Sequence, residues 1–227
     1  MLFTVADHHP PLAAQPVMGS AHFDVTLLTA TNLDEAIASE DPAKLLIEGL
    51  ASRDQRTRVV ALGAWEGTGL HRTGSHADRI FCAAAKLVCV DAKLFALKGG
   101  GEFARTSVST AQRGGRATAL LCADLPAAFA HREEIADCFD GCPDYLVAEP
   151  SAALSLFGCN RIDTLVPKLI RYGTGLALHR SDYPSISVRP GKSAAKTGDT
   201  PISREVFWSQ FAPAALEDYL TSASRIR

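Results

Sequence analysis

Apolar and polar residues follow two different periods along this chain, and the period switches at regular intervals. Short runs rich in Val, Leu, Thr and Ala fall at 23–29 (FDVTLLT), 58–64 (RVVALGA), 87–90, 117–122 (ATALLC), 145–148 and 175–179. Their length and nearly unbroken apolar character predict buried strands. Amphipathic stretches between them predict helices over 42–52, 76–86, 102–113, 126–139, 150–157 and 162–172. Gly114 and Gly115 supply a helix stop, and Pro150 stands in a first turn, where its missing N–H does no harm. Residues 183–188 read as an outer or hairpin strand. Thr200 and Pro201 open a last helical stretch carrying Phe207, Phe211, Leu216 and Leu220. Strands alternating with helices of this length predict βαβ units, hence an α/β fold whose mostly parallel sheet is covered on both faces. No repeat, low-complexity tract or long internal linker interrupts the pattern. Residues 23–227 are therefore expected to form one domain behind a loosely ordered leader at 1–22.

Composition narrows the function classes. The chain has 227 residues, 47% of them hydrophobic and 21% charged, with a formal net charge of −2. That length can bury a sizeable core, and the balanced charge gives no electrostatic case for nucleic acid or an anionic membrane. No apolar run reaches the length of a membrane span. The first residues lack a basic start followed by an apolar stretch, so a cytoplasmic protein is expected. Six cysteines at 82, 89, 122, 138, 142 and 159 form no Cys-x-x-Cys pair. They read as free, mostly buried thiols in a reducing compartment. Cys138 and Cys142 are spaced to share a helix face but have no His pair beside them, so no metal site is expected.

Several residue groups carry candidate chemistry, each beside an ordinary structural reading. Gly99, Gly100 and Gly101 before a helix fit a phosphate cradle or a simple turn. Lys192 and Lys196 fit phosphate contacts or solvated loop charges. The seven histidines show no metal-ligand spacing, and no serine sits in a nucleophile context.

The segment 144–158 (DYLVAEPSAALSLFG) resembles an element of ribokinase-like sugar and nucleoside kinases, the PfkB family, particularly its adenosine-kinase-like branch. In that family an apolar strand leads into Asn-x-x-Glu and a helix ending Leu-Phe-Gly. Here Ala148 and 153–158 (ALSLFG) keep the frame, while Glu149 stands at the Asn position and Ala152 at the Glu position. Residues 115–124 (GRATALLCAD) and 131–134 (HREE) resemble the family's middle βαβ units, and 173–180 (GTGLALHR) the strand that leads towards its nucleotide site. Phe23, Asp24, Val25 and Thr26 resemble the opening strand, and 54–57 (DQRT) with 62–64 (LGA) the segment after the lid strands. Asp34 falls where the family has a carboxylate that holds substrate hydroxyls. The signature Gly-Ala-Gly-Asp loop is matched by Lys196, Thr197, Gly198 and Asp199, with lysine in place of the first glycine.

The resemblance implies a ribokinase-like three-layer αβα sandwich with the lid largely missing. It implies Asp199 as a vestigial base, Asp34 as a substrate anchor, and Lys196, Thr197, Gly198 and Glu149 around phosphate or nucleotide. Apart from the resemblance, Asp199 fits an N-cap before a helix, Asp34 a solvated loop acid, and Glu149 a surface residue favoured by a helix dipole. A lysine does not readily take the positive φ of a glycine nest, and the Asn-x-x-Glu pair is gone. The expected function is therefore a non-catalytic, PfkB-like protein that binds a nucleoside-type or sugar ligand, or acts by protein interaction, as a homodimer or with a protein partner. The alternative is a minimal nucleoside or sugar kinase using ATP and magnesium, with Asp199 as its base.

Overall fold

The computed structural model describes residues 4–6, 25–30, 41–53, 59–63, 82–190 and 196–223. Among the described residues nine strands form one sheet: β1 (Thr4–Ala6), β2 (Val25–Thr29), β3 (Val59–Gly63), β4 (Leu87–Asp91), β5 (Ala117–Cys122), β6 (Tyr145–Ala148), β7 (Gly175–Leu178), β8 (Ile186–Val188) and β9 (Lys196–Thr197). Their order is β1-β3-β2-β4-β5-β6-β7-β8-β9. Every pair from β1 to β7 is parallel, and β8 and β9 close the sheet as antiparallel additions. The outer strand expected near 183–188 is thus β8. Thr4–Ala6, inside the expected leader, instead pairs in parallel with β3 and forms one edge of the sheet.

The helices are α1 (Pro42–Arg53), α2 (Gly100–Arg113), α3 (Leu125–Ala130), α4 (Arg132–Cys138), α5 (Pro150–Phe157), α6 (Ile162–Arg171), a single turn α7 (Arg204–Val206) and α8 (Ala212–Ala223). The helix expected over 126–139 is two helices, with His131 closing α3 and opening α4. The start of the helix expected over 76–86 lies outside the described residues. Among the described residues no strand stands outside the central sheet.

Side chains alternate along a strand, and β2 and β4 to β7 bury both sets. Val25, Leu27, Leu87, Cys89, Ala119, Leu121 and Val147 face Leu46, Ile47 and Leu50 of α1, together with Phe207, Trp208 and Leu216. Leu28, Val88, Val90, Leu120, Leu146 and Leu176 face Phe103, Ile135, Phe157 and Leu165 of the helices on the other side. This is the three-layer sandwich that the alternating pattern predicts.

Two features of the architecture position the site. Strand order reverses between β2 and β4, because β3 lies on one side of β2 and the later strands run off on the other. The helices that follow β2 and β4 cover opposite faces, which makes the carboxyl ends of these strands the topological switch point, where ligands of such sheets bind. The second feature is a π-helical turn, Phe207–Phe211, between α7 and α8. It packs on α1 at Gly49, where an added Cβ would lie 2.2 Å from the Ser209 carbonyl oxygen and 2.5 Å from Pro213 Cγ. Gly49→Ala forces this backbone contact apart and is expected to cost about 1–3 kcal/mol. Urea unfolding measures it, and wild-type stability in this variant would contradict the close approach.

Candidate functional site

Parallel strands end on one edge of the sheet, so the last residue of β4 and the first polar residues after β5, β6 and β7 line up there. These are Asp91, Asp124, Glu149 and His179. With strands spaced about 4.8 Å apart, Asp91 on β4 and Glu149 after β6 are roughly 10 Å apart. Two separate clusters result.

The first cluster is built on Glu149. Pro150 starts α5 immediately after it, and the Glu149 amide is bonded to the Cys122 carbonyl at 3.0 Å, which fixes the backbone. Its side chain is only 14% exposed and does not cap the helix. Instead Oε2 lies 2.8 Å from His179 Nδ1, while Oε1 accepts from Arg204 Nε at 3.0 Å and from Trp208 Nε1 at 2.9 Å. The other ring nitrogen of His179, Nε2, lies 3.2 Å from the Ile202 carbonyl, and Phe207 packs against the imidazole at 5.2 Å between centroids. Both carboxylate oxygens are therefore engaged. The solvated helix-end Glu149 of the simpler reading is not what forms, because three donors from β7 and the C-terminal segment converge on it.

The second cluster lies at the strand-order reversal. Asp91 ends β4 and is 5% exposed; its Oδ1 accepts from the Lys93 amide at 3.0 Å and caps the short 3-10 turn Ala92–Ala96. Lys93 Nζ reaches Asp41 Oδ2 at 2.8 Å, and Asp41 Oδ1 accepts from the Ala43 amide at the start of α1. Asp124 caps α3 through the Ala127 amide at 2.8 Å. Burial drives the Asp91 carboxyl up to about 7, opposed by the Lys93 amide and ammonium and reinforced by the charges of Asp41 and Asp124. Burial alone would lower Lys93, but the Asp41 hydrogen bond and the surrounding carboxylates raise it on balance.

The residues expected from sequence to face substrate or phosphate fall only partly among the described ones. Asp34 and Lys192 lie outside the described residues. Lys196 and Thr197 form β9, beside β8, and the Gly198 amide is bonded to the Ser185 carbonyl at 2.9 Å. Gly198 thus follows directly on β9, tied to the loop before β8. Asp199 is exposed and does not cap a helix: the cap is Ser203, whose hydroxyl accepts from the Val206 amide at 3.2 Å. Pro201 disfavours helical backbone at Thr200, and the helix starts at Arg204, later than Thr200 and Pro201 suggest. Gly99 takes a left-handed turn (φ 80°), and Gly100 and Gly101 are buried inside α2, as the turn reading of that cluster has it. All six cysteines are free and four are buried; burial pushes the Cys89 thiol up to about 12.

Sequence reasoning passed over Asp41, Asp91, Lys93, His179, Arg204 and Trp208. The signal for two of them was present, since Asp91 and His179 are the first ionisable residues after unbroken apolar strands.

Solved structures share this architecture. The adenosine kinase from Sinorhizobium meliloti superposes with a TM-score of 0.66 at 16% identity, covering 88% of each chain. Anopheles gambiae adenosine kinase, in complex with P1,P4-di(adenosine-5) tetraphosphate, gives 0.59 at 11% identity over 87% of this chain and 86% of its own. Halothermothrix orenii fructokinase gives 0.53 at 14% identity over 88% and 95%. No family model matches the chain, and no curated protein matches its sequence. The fold is the ribokinase-like α/β fold of these sugar and nucleoside kinases, as the residues at 144–158 lead one to expect.

Two variants test the clusters. Glu149→Gln removes the charge that His179 and Arg204 face and is expected to cost about 2–4 kcal/mol; unchanged unfolding in urea would show that the network carries no stability. Asp91 has its folded value raised, so the folded protein keeps a proton that the unfolded chain releases between pH 3.8 and about 7. Its contribution to stability is full below that window and is lost as pH rises through it, by about 4 kcal/mol at the limit. Asp91→Asn should flatten this part of the stability-pH curve and melt higher than wild type at pH 8.

Proposed function

We propose that this protein is a non-catalytic, ribokinase-like ligand-binding protein, with the switch point at the carboxyl ends of β2 and β4 as the place where a nucleoside-type or sugar ligand enters. The observation that carries this reading is the saturation of Glu149. The resemblance puts a magnesium- and phosphate-facing group at this position, yet its carboxylate is held by His179, Arg204 and Trp208. Phosphoryl transfer depends on positioned charge and preorganised donors. Here a carboxylate already engaged on both oxygens by His179, Arg204 and Trp208 has little left for a metal, and Asp199 stands exposed, with Ser203 rather than Asp199 capping the helix that follows.

The fold's usual ligand position supports retained binding. Thr29 at the end of β2, Asp91 at the end of β4 and Asp41 before α1 are buried polar groups at these strand ends. Without chemistry of its own, the protein passes ligand occupancy on to a second copy of the chain or to a protein partner, in a cytoplasmic setting that keeps its thiols reduced.

The test is a thermal-shift and calorimetric titration with adenosine, ribose and ATP, with and without magnesium, alongside a phosphoryl-transfer assay. A ligand that binds the native state raises Tm by mass action. The expected result is a Tm rise with adenosine or ribose, no magnesium-dependent rise with ATP, and no product. Magnesium-dependent ATP binding with turnover that Asp199→Ala abolishes would replace this reading with that of a working kinase.

A further inference from the structure

An open groove of about 910 Å³ runs between α2, α3, α4 and the end of α5. Part of its wall is settled within the chain, where Glu134 meets His131 at 3.5 Å and Arg105 at 4.0 Å. The rest is not. Phe129 stands at the groove 74% exposed, and Leu125, one turn earlier on α3, is 42% exposed. Two large apolar side chains in the open, next to the half-buried Leu154 of α5, mark a surface that meets a partner. Arg132, Glu133 and Asp137 line the same groove, are exposed, and have no side-chain partner among the described residues.

The charges on α4 are badly placed for one copy alone. Arg132 opens the helix and Asp137 stands in its last turn, so each lies at the end whose dipole disfavours it. Glu133 and Asp137, four positions apart, also repel each other. A second copy related by a two-fold axis relieves both conflicts. Two-fold symmetry sets the same patch against itself, and an axis through the middle of α4 makes the two copies of this helix antiparallel. Arg132 of each copy then lies beside Asp137 of the other, with the helix dipoles opposed. Phe129 of each copy is covered by the groove of the other. A strongly acidic or strongly basic partner fits less well, because the unpaired charges are of both signs.

We propose that the chain forms a two-fold dimer through this groove, with α4 antiparallel to α4 of the second copy, Arg132 paired with Asp137 across the axis, and Phe129 as the apolar anchor. The dimer supplies the second copy to which ligand occupancy is passed on, and it rests on that reading only for its purpose.

Sedimentation velocity and light scattering over a concentration series, without ligand, test the interface. Wild type is expected to shift from monomer to dimer as concentration rises. Phe129→Ser is expected to weaken the dimer about thirtyfold or more, as loss of an aromatic anchor does. Arg132→Asp and Asp137→Arg each set like charges against each other across the axis and are expected to weaken it about tenfold. An equimolar mixture of these two variants restores opposite charges at both contacts and is expected to dimerise as wild type does. All three positions are exposed, and an unchanged circular dichroism spectrum separates loss of the dimer from loss of structure. A wild type that stays monomeric throughout, a dimer indifferent to all three substitutions, or a mixture no more dimeric than its components overturns the proposal. Failure of the ligand titration would leave the dimer standing, and a monomer would leave ligand binding at the strand ends standing, so the two failures are distinguishable.

Discussion

The Glu149 carboxylate ties three parts of the chain together at one point. It sits at the junction of β6 and α5, and its two oxygens join that junction to β7 through His179 and to the C-terminal helical segment through Arg204 and Trp208. Trp208 and Phe207 are fully buried and complete the core on the α1 face. A hydrogen-bonded carboxylate thus stations the aromatic side chains that cover one side of the sheet. Buried polar networks of this kind are stabilising only when every member is satisfied, and here the indole N–H, the imidazole and the carboxylate all have partners. A carboxylate that acts as a structural fastener is not also free to hold a metal, and the functional reading turns on that choice.

The fold was largely legible in the sequence, and the reason is physical. Strands buried on both faces need unbroken apolar runs, so 117–122 and 145–148 announce themselves, and Pro150 marks a helix start without ambiguity. The same logic failed for Thr4–Ala6, whose three residues are too short to stand out from the surrounding chain. It failed also at Thr200 and Pro201, where a plausible cap lost to Ser203, whose hydroxyl takes the Val206 amide.

The site was much less legible. Glu149 was found through its place in a familiar frame, but its role depends on Arg204 and Trp208, more than fifty positions away. Nothing local in the sequence predicts that a tryptophan in an amphipathic helix turns its N–H towards a strand end. Asp91, Lys93 and Asp41 share the difficulty: their chemistry comes from convergence at the reversal of strand order, and topology sets that point where residue spacing cannot reveal it.

The two margins of the sheet have a bearing on how the molecule behaves in company. One ends in β1, three residues long, and the other in β9, two residues long beside the three of β8. A margin that short offers an incoming chain only a few unpaired backbone groups, too few to template the growth of a shared sheet. Sheet-to-sheet polymerisation, the usual hazard of an open parallel sheet, therefore has little to start from along these strands. If copies of the molecule meet, their helical faces are better suited than their strand margins to make the contact.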